Sequence, residues 1–239
     1  GRYTARAGAC TLFRAPQPGP GRVVNTLLDD TGDGLCTSAH CTLREAVTAA
    51  NADPAANTIT FSVTGTITLA SALPALGASG ALTIDGTGQR VAVSGNDAVR
   101  VFSVAPGATA TLHALTVTNG LAATGSGGAV ESAGTLTVTD STLASSSAPR
   151  GGGLGVVGGT ASLANVTFSG NHATLPGDFG GGGAAVTGGS ATFRNCTFSG
   201  NVSDSTNAFH GAGGLASAGG VVTLSNSLAA GNTSAASHP

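Results

Sequence analysis

The chain has no Lys, no Met and no Trp, a single Tyr, and charged side chains at only 8% of its 239 residues. An ordinary globular protein carries about 25% charged residues. All nine basic residues are Arg, and eleven acids bring the formal net charge to −2. That balance gives no electrostatic footprint for nucleic acid or for an anionic membrane. The shortage of Lys and Glu argues against a helical protein, whose surface they normally cover. No run approaches eighteen consecutive apolar residues, so no membrane span is expected. Disorder does not fit a chain that is 41% hydrophobic with mean hydropathy +0.26. The 39 glycines come in clusters rather than at every third position, which excludes collagen. The start at Gly1 without Met fits a mature form trimmed of its leader, or a fragment.

Cysteine is sparse too. Cys10, Cys36, Cys41 and Cys196 are too few for a disulfide scaffold, and no CxxC pair suggests zinc. Cys36 and Cys41 lie close enough in sequence to close a short loop in an oxidising compartment. Two free thiols are the other reading.

What is present is a repeat. Segments starting at Gly127, Gly151, Gly181 and Gly211 align, at spacings of 24, 30 and 30 residues. Each runs from a Gly cluster to a short apolar strand, a small-residue turn and two more strands. The last strand closes on Asn171, Asn201 and Asn232, with Ser146 in the first unit. Six residues before these stand Asn165, Asn195 and Asn226, with Asp140 in the first unit. Leu136 and Val138 alternate with Thr135, Thr137 and Thr139, the period of a half-buried strand. No unit has a helical pattern. Units this short cannot bury an apolar side alone, but stacked coil on coil they can. The expected fold is all-β, a parallel β-helix. Residues 57–79, 80–100 and 101–126 read as three further coils, about seven in all, or a rod of roughly 30–35 Å. The shared offset of Asn171, Asn201 and Asn232 predicts an internal amide ladder. Phe168 and Phe198 should stack inside, and Cys196 should point inward as a free thiol.

The N-terminal part is different. Residues 1–22 hold four of the nine Arg and a Pro/Gly-rich end, and read as an extended arm. Thr42-Leu43-Arg44-Glu45 is a capping box, with Thr42 and Glu45 as its partners. Leu43, Ala46, Val47 and Ala50 then form one apolar face of a short helix. A cap is expected here, because the first coil of a solenoid exposes an apolar cross-section and open strand edges. The expected division is therefore an arm at 1–22, a cap at 23–56 and a β-helix at 57–239.

Cys41-Thr42-Leu43-Arg44-Glu45-Ala46, with Cys36 upstream and Asn51 downstream, resembles the CSLREA motif of secreted bacterial proteins. Thr replaces Ser at position 42, which preserves the cap. The Gly-rich starts and the FSGN endings of Phe168–Asn171 and Phe198–Asn201 resemble polymorphic outer-membrane protein repeats. Together the two resemblances cover residues 23–237. They imply a right-handed winding, a Cys36–Cys41 disulfide, export, and extracellular or cell-surface residence, often with adhesion. They imply no particular activity.

Catalysis was weighed against this. Polysaccharide lyases and glycosidases on β-helices need clustered carboxylates and a base. The best cluster is Asp178 and Asp204 with His172 and His210, in the long loops of adjacent coils; loop solubility explains the same residues. Asp29, Asp30 and Asp33 form an acidic group before Cys36 that could ligate calcium, but the twelve-residue EF-hand spacing is absent, so ordinary turn chemistry is the expected reading and no cofactor is called for. The outward threonines could order water as an ice-binding surface does, but Arg194 interrupts them. A third reading concerns the ends. An uncovered last coil is a template for another chain, and head-to-tail stacking need not close. The arm would then lie along a neighbour, placing Cys10 and Phe13 in the contact. The expected function is a non-catalytic, secreted or cell-surface structural protein. It would assemble with itself head to tail into filaments, or act as an adhesive rod bound to cell-surface components. A carbohydrate-active enzyme is the alternative, and an ice-binding solenoid the remote one.

Overall fold

The structure, a computed structural model, describes residues 16–17, 21–30, 32, 34–77, 80–177, 179–206 and 211–235. It is a parallel β-solenoid with a single helix, Leu43–Ala52, among those residues. Four parallel sheets run along its length, with eight, seven, five and four strands. One coil illustrates the path. Thr160–Ala164 lies in the eight-stranded sheet, Thr167–Ser169 in the seven-stranded, His172–Ala173 in the four-stranded and Ala184–Val186 in the five-stranded sheet. Ser190–Arg194 then begins the next coil beside Thr160–Ala164. The seven-stranded sheet has one rung per coil, from Gly65–Thr68 to Leu228–Ala230. Seven rungs make about six turns, close to the expected length.

Alternation decides the core. Leu112, Val138, Leu163 and Phe193 are paired along the stack and are all buried. Between them the outward positions carry Thr111, Thr137, Ser162 and Thr192. Phe168 and Phe198 stack face to face, 4.6 Å between centroids and 4° apart in plane, with Phe193 edge-on to both. Cys196 is buried beside them, and its thiol contacts the Arg194 and Leu163 carbonyls. Burial pushes that thiol above its ordinary pKa, although backbone contacts at Val166 and Arg194 pull the other way.

Each coil turns twice through left-handed backbone. The first corner holds Ala114, Asp140, Asn165, Asn195 and Asn226, with φ of 48–58°. These are the outer members of the repeat, exposed where the chain bends; Asn and Asp tolerate this region best of the non-glycine residues. The second corner uses Asn119, Ser145, Gly170, Gly200 and Gly231. The next residue turns inward, and there the amide ladder runs. Asn232 Oδ1 accepts from the N–H of Asn201, Asn201 Oδ1 from that of Asn171, and Asn171 Oδ1 from that of Ser146. Ser146 Oγ in turn accepts from the N–H of Gly120. The Nδ2 atoms of Asn171, Asn201 and Asn232 donate to Leu143, Phe168 and Phe198 carbonyls one coil back. Asn171 and Asn201 have no exposed surface.

The Gly clusters make room for this ladder. A Cβ on Gly183 would sit 2.6 Å from the Gly214 carbonyl oxygen, 2.9 Å from the Phe198 ring and 3.2 Å from the Asn201 amide. No side chain fits between coils at that point.

Truncating Asn201 orphans the Asn171 N–H, the Asn171 Nδ2 donor and the Phe168 carbonyl. Each buried polar group left unmet costs roughly 1–3 kcal/mol, so Asn201→Ala is expected to lose about 4 kcal/mol. Asn195→Ala, at the exposed corner, should lose about 1 kcal/mol, chiefly through backbone strain, since the side-chain bond it gives up to Asn165 is exposed to solvent. Urea unfolding of the two variants checks the difference.

Candidate functional site

The side chains that carry charge converge at the N-terminal cap. The helix begins at the Thr42 capping box: Thr42 Oγ1 accepts from the Glu45 N–H, and Glu45 Oε2 accepts from the Thr42 N–H at 2.9 Å. Leu43, Ala46, Val47 and Ala50 are buried against the first coil. Cys36 and Cys41 form a disulfide.

Asp29 does not stand in an acidic group awaiting a cation. Its carboxylate takes two bonds from the Arg44 guanidinium, at 2.9 and 2.7 Å, and one from the Ala70 N–H. The same guanidinium donates to the Ser71 and Ala72 carbonyls, both at 2.7 Å. Arg44 thus ties the helix to the turn before it and to the loop of the first coil. Asp30 lies elsewhere, 3.5 Å from His40 Nε2, while His40 Nδ1 is 3.4 Å from Glu45 Oε2. Asp33 lies outside the described residues. Among the described residues no three His, Cys, Asp or Glu side chains converge to hold a metal ion. Carboxylate types in a turn carried no sign of Arg44, fifteen residues away, as the partner of Asp29.

Asn51, at the far end of the helix, docks it a second time. Its Nδ2 donates to the Ala75 carbonyl and its Oδ1 accepts from the Gly77 N–H. Asn25 holds the disulfide loop, accepting from the Cys41 N–H and donating to the Thr37 and Ser38 carbonyls. Part of the segment read as an arm is structural. Gly21–Val24 is the first strand of the eight-stranded sheet, and Pro16 bridges Thr37. The Gln17 carboxamide behaves as a strand substitute: its Oε1 accepts from the Val23 N–H at 2.6 Å and its Nε2 donates to the Val23 carbonyl. Cys10 and Phe13 lie outside the described residues.

The candidate acid–base cluster is described only in half. His172 and Asp204 lie in or beside paired short strands rather than in long loops, with His172 Nε2 2.9 Å from Asp204 Oδ1. That contact is an ion pair when the imidazole is protonated; the same nitrogen makes no hydrogen bond. Asp178 and His210 lie outside the described residues.

No helix of the described residues is long and apolar enough to cross a membrane. The chain matches no protein-family model and no curated protein.

Asp29 is the prediction's target. Its side chain is 2% exposed, and a buried charge stripped of its partner costs about 3–5 kcal/mol. Arg44→Ala should lose about that much. Hydrogen exchange should show protection falling first across 29–52, while the coils from 109 to 199 keep theirs.

Proposed function

We infer that this chain is a non-catalytic structural rod of the cell surface or extracellular space, which pairs with a second copy through the outward aliphatic face of its last described coil. One observation carries the reading. The column Thr135, Thr160, Ser190 ends in Val221, and the column Thr116, Thr142, Thr167, Thr197 ends in Leu228. Outward positions that carry hydroxyls in the coils from Thr109 onward become aliphatic in the last described coil. Val221 and Leu228 are 66% and 59% exposed. Exposed aliphatic side chains where the coils before present hydroxyls form a seat for another surface.

The opposite end has less to offer. The helix covers it, and Gln17 occupies the outward N–H and C=O of Val23. A head-to-tail filament would require Gln17 to leave Val23 in every subunit. Two copies whose aliphatic faces meet bury both at once in an isologous pair. We therefore favour a pair of copies joined through this coil as the unit of assembly. The disulfide supports an oxidising, extracellular setting, and the paucity of charge suits stacked rungs, where like charges directly opposite repel.

Light scattering and electron microscopy test this. Particles of twice the mass of one chain are expected, and Val221→Glu with Leu228→Glu should return them to single rods with unchanged circular dichroism. Long filaments would restore the head-to-tail arrangement. A monomer at every concentration would remove the structural-assembly reading.

A further inference from the structure

The corner column of Asp140, Asn165 and Asn195 is linked by side-chain bonds: Asn165 Nδ2 donates to Asp140 Oδ1, and Asn195 Nδ2 to Asn165 Oδ1. One coil before Asp140 the column stops. The residue there is Ala114, placed by the pairing of His113 with Thr139 and of Thr116 with Thr142. Ala114 keeps the left-handed backbone, φ 54°, without the side chain that suits it. Of the nine non-glycine residues with positive φ among those described, seven are Asn or Asp and one is Ser. An alanine here is strained, and strain of this kind tends to persist at functional positions.

The missing side chain leaves space, and the coil before it builds a wall. Between Asp85 and Ala92 that coil runs through residues 86–91, whereas Ala114 and Leu115 alone join His113 to Thr116. The longer corner carries Gln89 and Arg90 outward. The result is an open recess of about 410 Å³, within the range of small-molecule sites. Its floor is Val91, Ala92, Ala114 and Leu115; Arg90 and Gln89 form one wall, and Asp140 with Thr142 the other.

We propose that this recess binds a uronic acid unit of an acidic saccharide. Arg90 is exposed, and its guanidinium makes no ion pair or hydrogen bond among the described residues. Its planar fork matches a carboxylate. Asp140 Oδ1 accepts from Asn165 Nδ2 at 2.9 Å, and its other oxygen lies 3.4 Å from His113 Nδ1, which is paired more closely with Thr139 Oγ1 at 2.7 Å. Its remaining lone pairs suit hydroxyl donors. Thr116 and Thr142 supply further donors and acceptors for hydroxyls, and Gln89, whose Oε1 already accepts from Thr64 Oγ1, offers its Nε2 as a donor. The small apolar floor suits the C–H face of a sugar ring, and the open ends of the recess let a chain continue beyond one unit.

Titrating trigalacturonic acid into the full chain, with maltotriose as the uncharged control, tests the site. Amide NMR shifts are expected at 86–92, 114–116 and 140–142 with the acid and not with maltotriose. Arg90→Gln should weaken binding at least tenfold. Ala114→Asn supplies the side chain that the left-handed corner favours, and places an amide in the recess. It should raise the melting temperature and abolish binding together, which separates loss of the site from loss of the fold. Shifts absent from those residues, equal binding of maltotriose, or undiminished binding by either variant would overturn the proposal.

Discussion

A primary amide enclosed in an apolar tube has to satisfy two donors and a carbonyl with nothing but its neighbours. Asn171 and Asn201 manage this only because the coil on either side presents the same residue, or a serine, at the same height. Slipping one coil by a single residue would leave these groups unpaired inside the core. The cost would be several times that of misplacing an aliphatic side chain. The ladder therefore fixes register for the sheets that meet at this corner. The rest follows from that register: phenylalanine stacks on phenylalanine, glycine clusters pass glycine clusters, and hydroxyl columns line the outside. The glycines are needed for a packing reason as much as a conformational one, since the amides occupy the space that side chains at 153 and 183 would take.

The cap solves the same problem with different chemistry. At the first coil no earlier amide exists to continue the stack, and polar contacts between unlike residues close the end. Arg44 joins three backbone segments through Asp29 and the carbonyls of 71 and 72, Asn51 adds 75 and 77, and the disulfide shortens the loop that feeds the helix. These groups are charged or amide-bearing because the loops they hold have no periodic pairing to rely on.

Much of this was legible in the residues, and the reason is periodicity. Asn171, Asn201 and Asn232 share an offset, Leu136 and Val138 alternate with threonines, and Thr42 stands three residues before Glu45. Each signal is local or repeats at a fixed spacing. What escaped notice is singular. Asp29 carries no mark of its partner, because Arg44 reaches it only after the turn folds back. Gln17 sits in a Pro/Gly-rich stretch, where nothing distinguishes a side chain that closes a strand edge from one in solvent. Arg194 does interrupt outward threonines, in the column of Thr139 and Ala164 of the eight-stranded sheet, but the Thr167 and Thr197 column belongs to the seven-stranded one and is untouched by it. Sequence alternation separates inside from outside but does not say which outward residues share a face.

Exceptions within a column therefore carry more information than the column itself. Parallel stacking makes each outward position resemble the one beneath it, since mismatched or like-charged neighbours disturb the ladder. A departure has to be tolerated against that tendency. Ala114 departs by losing a side chain where its backbone most favours asparagine. Val221 and Leu228 depart by losing a hydroxyl where solvent would favour keeping it. The first opens a recess between a guanidinium and a carboxylate; the others leave aliphatic surface where the coils before present hydroxyls. Along outward columns otherwise rich in threonine and serine, these are the positions at which the rod stops being uniform. They are where contact with another molecule has the most physical reason to occur.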